Sequence, residues 1–405
     1  MLLGRPHPAA ADGTPALRHA FATSVTGSGD LSTWADVSGL SLTGVAAGDA
    51  ICQARATAAS LTGTYVAWLS TGSNDAYCHV QGLTGTQVDG CSGAVTLPGA
   101  GPWVRTDGTP WSGTLDEIVT ANVLFTPLVT DESGTIDISN AQARWTGTHP
   151  DGTPTGGDCD GWTNSAAVGL ADAGRGPTTA DSWTLDQSAL CNATNLRLIC
   201  LETGPGLPPA KPRDPGALVF VSSIDGDGDL STWPGAGGLT EIAAGDSVCQ
   251  SLASTAGLPD PQTFVAWLSD GRGINATDRI TTDGPWKRVD GIPIANSKAD
   301  LLDAALFTSI SQDETGAYPG KAGVWTASDP SGIAGIYHCN EWRNSSNAGT
   351  GLTGALNSVR ASWTDGNDNS CDMINRIYCF SNVVSVFFDN FEGGDTSRWD
   401  VTVSQ

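Results

Sequence analysis

Positive charge is the scarcest property of this chain. Lysine stands only at Lys211, Lys287, Lys298 and Lys321, and 19 basic residues face 43 acidic ones for a formal charge of −24. Nucleic acid, anionic lipid and sulfated polysaccharide all need a basic field, so the charge balance opposes binding to them. No hidden basic segment rescues them in the first half, where residues 21–202 contain no lysine and only Arg55, Arg105, Arg144, Arg175 and Arg197. Long apolar runs are missing too. None approaches the roughly 20 residues that span a bilayer, so membrane insertion is not expected. The histidines, His7, His19, His79, His149 and His338, are widely scattered, and the ten cysteines include no Cys-x-x-Cys pair. That pattern is neither a zinc site nor a dithiol redox centre. With Gly 51 and Pro 22, long amphipathic helices give way to turns and short elements.

What the chain has is an internal repeat. His338-Cys339-Asn340-Glu341-Trp342-Arg343 is followed by Trp363-Thr364-Asp365, Ser370-Cys371 and Arg376-Ile377-Tyr378-Cys379-Phe380. The same layout occurs earlier as Asp158-Cys159-Asp160-Gly161-Trp162, Trp183-Thr184, Leu190-Cys191 and Arg197-Leu198-Ile199-Cys200-Leu201. The first cysteine interval and both tryptophan intervals are identical in the two copies, through otherwise different residues. One structural unit was duplicated.

Upstream landmarks agree. Phe21-Ala22-Thr23-Ser24 and Phe220-Val221-Ser222-Ser223 read as opening strands. The helix that follows is expected to start at Asp49 and Asp246, read as N-caps within Gly48-Asp49-Ala50-Ile51-Cys52-Gln53 and Gly245-Asp246-Ser247-Val248-Cys249-Gln250, and to end near Leu61 and Leu258. Tyr65-Val66-Ala67-Trp68-Leu69-Ser70 and Phe264-Val265-Ala266-Trp267-Leu268-Ser269 are aromatic and β-branched runs, read as buried strands with Trp68 and Trp267 in the core. Gly101-Pro102-Trp103 and Gly284-Pro285-Trp286 follow in register, and Arg144-Trp145 and Val324-Trp325 lead into the closing cysteine block as short strands.

The fold class these elements predict is α+β, in two tandem units. The expected division is a lead-in at 1–20, a first domain at 21–202, a Pro-rich linker at 203–216 stiffened toward extended geometry, a second domain at 217–382 and a tail at 383–405. An even cysteine count in a loop-rich acidic chain favours disulfides and an oxidising compartment over buried thiols. The first copy holds an insertion with Cys78 and Cys91 that the second lacks, and an unmatched pair inside an insertion suggests a private staple between them. Residues 1–20 have no continuous apolar run and do not read as a secretory signal. The expectation is therefore a secreted or cell-surface protein whose export signal is not visible in this chain.

The landmarks of both copies resemble the endostatin-like branch of the C-type-lectin-like fold. They are Gly-Asp-x-x-Cys-Gln, Ala-Trp-Leu-Ser, Trp-Thr-x-Ser-Asp-Pro-Ser-Gly at 325–332, Cys-Asn-Glu-Trp-Arg at 339–343 and the last cysteine pair. The likeness is to the bacterial endostatin-like domain of unknown function found in exported and surface proteins. It implies nested disulfides, outer with outer and inner with inner: Cys52–Cys200 and Cys159–Cys191, then Cys249–Cys379 and Cys339–Cys371. It also implies adhesion or matrix binding in some relatives. The departures are as informative. The acidic chain cannot present the basic heparin surface of collagen endostatin, its N-terminal zinc histidines have no counterpart, and the calcium-linked tripeptides of sugar-binding C-type lectins are absent. The tail around Phe388-Asp389-Asn390-Phe391 resembles both a short tail of exported proteobacterial proteins and the start of a lectin-like jelly roll.

Chemistry is harder to find. Asp225-Gly226-Asp227-Gly228-Asp229 alternates carboxylates as a calcium loop does, but Leu230 stands where such a loop needs glycine, and the first copy keeps only Asp30. A turn is the simpler reading. No cofactor is expected; calcium held by Asp365 and Asp368 is the one ion weighed. His338 beside Cys339 suggests a nucleophile pair, yet that cysteine is assigned to a disulfide and the first copy has Asp158 instead of a histidine. Paired carboxylates for glycoside hydrolysis arise by chance in so acidic a chain, and formylglycine-generating enzymes share the broad fold without their reactive cysteine site being evident here. The expectation is a non-enzymatic recognition or adhesion protein that binds protein or glycan on another surface. The contact residues expected are Trp342, Arg343, Trp363, Asp365 and Asp368, with the two tryptophans weighed also as core. The alternatives are a structural envelope or appendage module and, behind it, a secreted hydrolase.

Overall fold

The computed structural model describes residues 16–139, 142–212 and 214–385. Most of the expected lead-in and nearly all of the expected tail lie outside them. Each half of the chain builds one eight-stranded sheet. In the first, β1 is Arg18–Ala22, β2 Tyr65–Ala67, β3 Trp103–Arg105, β4 Pro110–Ser112, β5 Ala143–Trp145, β6 Leu170–Arg175, β7 Gln187–Leu190 and β8 Arg197–Glu202. In the second, β9 is Gly216–Val221, β10 Phe264–Ala266, β11 Trp286–Lys287, β12 Pro293–Ala295, β13 Gly323–Trp325, β14 Thr350–Ala355, β15 Asn367–Ser370 and β16 Arg376–Ser385. The order is β4-β3-β1-β8-β5-β6-β7 with β2 also on β8, and the second sheet repeats it as β12-β11-β9-β16-β13-β14-β15 with β10 also on β16. This mixed α+β architecture matches the fold class expected from the repeat.

The last strand of each half is the hub. Cys200 on β8 sits opposite Phe21 of β1 on one side and Ala67 of β2 on the other. Cys379 on β16 sits likewise between Phe220 and Ala266. A strand with neighbours on both sides and packing on both faces reads as a continuous apolar run rather than an alternation. Leu198, Ile199, Cys200 and Leu201 obey this, as do Ile377, Tyr378, Cys379 and Phe380, all fully buried.

One face of each sheet packs on a helix, Gly44–Ala58 or Glu241–Thr255. On this side lie Phe21, Leu31, Trp34 and Ile51 in the first half and Phe220, Leu230, Trp233 and Val248 in the second. The helices begin five residues before the expected caps, after Thr43 and Thr240. Asp49 and Asp246 therefore do not cap. Each points off the helix and accepts the backbone N–H of the neighbouring strand, from Ala67 at 2.9 Å and from Ala266 at 2.9 Å. The apolar period runs upstream through Ala47 and Ala244, both fully buried, and this packing outweighs the capping preference that a carboxylate offers at residue 49.

The opposite face is tryptophan-rich. Trp68 stacks on Trp183 at 5.1 Å between centroids and Trp267 on Trp363 at 5.1 Å. The indole N–H groups of Trp68 and Trp267 donate to Thr184 and Thr364, at 2.8 and 2.9 Å. One substitution between the copies is unusual. Arg144 and Gly176 stand where the second half has Val324 and Leu356, so a guanidinium fills the space of an aliphatic pair. Arg144 is fully buried and donates to the Leu128 carbonyl; burial, with Arg197 adding to it, pushes its pKa down to about 9.

All ten cysteines are paired: Cys52–Cys200, Cys78–Cys91, Cys159–Cys191, Cys249–Cys379 and Cys339–Cys371. These are the private staple and the nested pairs that the resemblance implies. The outer bridges join residues 148 and 130 apart and fasten the helix to the hub strand. Among the described residues no helix is long and apolar enough to cross a membrane. Strand β1 already begins at Arg18, inside the expected lead-in, because His19 and Arg18 are held by Glu202. Replacing Cys249 and Cys379 together by alanine should lower stability by about 5 kcal/mol, against about 4 for the Cys339–Cys371 pair, on the loop-entropy model. Chemical denaturation of the two variants checks the order, and equal losses would contradict it.

Candidate functional site

The segment Cys339–Trp342 is not an ordinary helical turn. Cys339, Asn340, Glu341 and Trp342 all have positive φ, at 47°, 52°, 60° and 61°. The first copy repeats this single left-handed turn at Cys159, Asp160, Gly161 and Trp162, with φ of 48°, 56°, 67° and 66°. Left-handed backbone costs non-glycine residues roughly 1–2 kcal/mol each, so it persists only where its surroundings hold it. Three fastenings do so here. The disulfide anchors the first residue, and the Trp342 indole donates to the Ser269 carbonyl at 2.8 Å, as Trp162 does to Ser70 at 2.9 Å. His338 supplies the third, since its Nδ1 accepts the N–H of Glu341 at 3.1 Å. In the first copy Asp158 takes the same place, accepting from Gly161 at 3.0 Å. His338 is thus a turn cap.

The turn carries a network of paired opposite charges in the second half only. Arg343, about half exposed, pairs with Glu241 at 2.5 Å, and Arg272 pairs with the same carboxylate. Arg272 also lies 3.5 Å from Asp270 and 3.6 Å from Glu341. Hydrogen bonding to Arg272 holds the Glu241 carboxyl below its ordinary pKa. Glu241 itself has a φ of 62°, where the matching residue of the first copy is Gly44 at 60°. The first copy has Gly161 for Glu341 and Thr163 for Arg343, so this network has no counterpart there.

Asp365 and Asp368 form a second, separate group. Both are exposed, and Asp368 lies on β15 opposite Leu352. Partial burial raises the Asp365 pKa above the ordinary carboxylate value, and the nearby charges of Asp329 and Asp368 push it the same way. Asp329 is held in place by accepting the N–H groups of Ser331 and Ile333, each at 2.9 Å. Among the described residues no ion pair joins this group to Arg343, and no cluster of three or more His, Cys, Asp or Glu is arranged to hold a metal. In the 225–229 stretch, Asp229 accepts from Ser231 and Asp227 accepts the N–H of Asp229, so these carboxylates build the turn.

The expected contact residues therefore divide. Arg343, Asp365 and Asp368 are exposed, in two patches. Trp342 and Trp363 are fully buried. Trp342 is tied to Ser269 and Trp363 packs on Trp267, so both support the surface from beneath. Glu241, Arg272, Asp329 and Glu341 escaped the sequence reading. The signal was present: at each of these positions the two copies differ while the cysteines and tryptophans beneath them agree.

No protein-family model matches the chain, and no curated protein matches it significantly.

Asn340 is exposed and makes no side-chain hydrogen bond that the turn needs. Asn340→Val should lower stability by about 1–2 kcal/mol while Asn340→Gly does not, measured by denaturant unfolding. For Asp365 the sign follows from its raised pKa. The folded state favours the protonated acid, so its contribution is fully present below the unfolded pKa and lost as pH rises through the folded one. Asp365→Asn should raise the melting temperature at pH 7 and change it little at pH 3.

Proposed function

We propose that this chain is a non-catalytic recognition or adhesion protein, built from two tandem endostatin-like domains of the C-type-lectin-like class. The proposed site of action is outside the cell or at its surface, and the proposed partner is a protein or glycan on another surface. The observation that carries the reading is the pattern of difference between the copies. Around the Cys339–Cys371 segment the buried framework is retained: Cys159 and Cys339, Trp162 and Trp342, Trp183 and Trp363, Thr184 and Thr364. The outward residues are not retained, with Gly161 against Glu341, Thr163 against Arg343, Leu185 against Asp365 and Ser188 against Asp368. A fixed frame with freely changing outward positions is what a loop-display scaffold requires.

The charged faces suit a polar partner. Arg343 and Arg272 are cations on a chain of net charge −24, surrounded by carboxylates that would reject an anionic polymer. Five disulfides favour an oxidising compartment, in keeping with the proposed location. Long, strapped loops over a tryptophan-filled frame lose little entropy on binding, which favours recognition by exposed polar residues.

The test is binding of the intact protein to a glycan array and to immobilised extracellular-matrix proteins, with calcium and with chelator. A specific partner should be found, and Arg343→Ala or the Asp365→Asn, Asp368→Asn pair should weaken it at least tenfold without lowering the melting temperature. Variants at Thr163 and Ser188 should bind as the parent does. Binding unaffected by all of these substitutions would remove this surface from the account.

A further inference from the structure

The two halves meet through a polar face that neither the repeat nor the linker predicts. Thr178 and Ser358, which occupy equivalent places in the two copies, form an antiparallel bridge with each other. Two equivalent residues paired antiparallel lie on a local two-fold axis relating the copies. The N–H of Thr179 donates to the Asn357 carbonyl at 3.0 Å, and the Asn357 amide donates to the Ser182 hydroxyl at 2.7 Å. Thr179 and Ser309 share a hydroxyl hydrogen bond, and Thr308 donates to the Phe125 carbonyl at 2.7 Å. Thr179, Ser182, Thr308 and Ser309 are all completely buried.

A charged cluster closes one end. Arg288, fully buried, pairs with Asp290 at 2.8 Å and also donates to the Leu124 carbonyl of the other half at 3.3 Å. Lys211 of the Pro-rich stretch lies 3.7 Å from Asp290 and 4.3 Å above the Phe125 ring. The stretch is strapped to its neighbours: Leu207 donates to Ala16, and Lys287 reaches the Asp214 carbonyl.

We infer that the two halves are an intramolecular pseudo-dimer, docked through complementary faces that select the other half over a second copy of either. The selection is chemical. Equivalents of Asn357 and Ser309 in the first half are Pro177 and Pro127, and the equivalent of Thr179 in the second half is Val359. Two first halves would lack the amide and hydroxyl donors, and two second halves would bury Ser309 against Val359, which cannot answer it, although Asn357 would still meet Ser362 in the place of Ser182. The same logic appears in Thr126 and Arg105, which bond within their own half to Pro110 and Pro127, whereas Thr308 and Arg288 turn across the junction. The inference concerns the junction alone and stands apart from the recognition reading.

No disulfide crosses the junction, so one cut in the connecting stretch leaves only this face to hold the halves. A protease site inserted between Leu207 and Pro208 of the full chain provides the cut. After cleavage at low micromolar concentration the halves should co-elute as one 41.5 kDa species. Asn357→Ala with Ser309→Ala should weaken their association at least tenfold. Halves that elute separately with their disulfides intact would overturn the inference, as would an unchanged association in the double variant. An independent reading comes from Thr178→Cys with Ser358→Cys, since the bridged pair is of the closely spaced kind with Cα atoms about 4.5 Å apart. A cross-link within one chain supports the docking; a cross-link between two chains, or none in folded protein, contradicts it.

Discussion

Everything in each half is referred to its last strand. Cys200 and Cys379 are held from both sides by β-pairing and from the helix face by a disulfide, so three elements distant in sequence converge on one residue. A strand fixed in this way cannot slip register without breaking a covalent bond. Its neighbours β5 and β13 then carry Trp145 and Trp325 into the core, and these indoles pack on Trp162 and Trp342 at 6.0 Å. The constraint therefore reaches the left-handed turn through packed aromatic side chains, and through the turn it reaches the outward residues.

The copies divide the labour between framework and surface differently. In the second half a strained glutamate, Glu241, replaces Gly44 and collects two arginines. In the first half the insertion with Cys78–Cys91 places His79 against Asp49 at 2.9 Å, where the second half has Arg279 against Asp246. Both solutions tie the helix to the loop beneath it by a side-chain nitrogen at the helix aspartate, by different routes. A duplicated frame has absorbed different outer chemistry without changing its strand order.

Much of this frame was legible in the sequence. The retained cysteine and tryptophan intervals gave the duplication, and the apolar runs around Trp68 and Trp267 gave buried strands. The helix starts were misread because a local rule, carboxylate at the N-cap, competed with burial of Ala47 and Ala244, and burial dominated. The left-handed turn left only a faint trace, since Asn340, Asp160 and Gly161 tolerate positive φ but Glu341 does not, and its backbone is set by contacts far away in sequence. Close approach of backbone was equally silent: a Cβ on Gly174 or Gly354 would collide with the carbonyl of Trp183 or Trp363. The junction was hidden for another reason. Its specificity lies in Asn357 and Ser309 standing opposite Thr179 and Ser182, and composition carries no information about which polar residues face one another.

Amide hydrogen exchange resolved by residue is the most direct test of the hub. The account predicts the slowest exchange at the central amides of Arg197–Glu202 and Arg376–Ser385, with the Trp342 and Arg343 amides of the turn protected alongside them. Selective loss of the Cys249–Cys379 bond should release the strand and the turn together. Turn amides exchanging at loop rates while the strand stays protected would contradict the account, because the exposed face would then owe nothing to the frame beneath it.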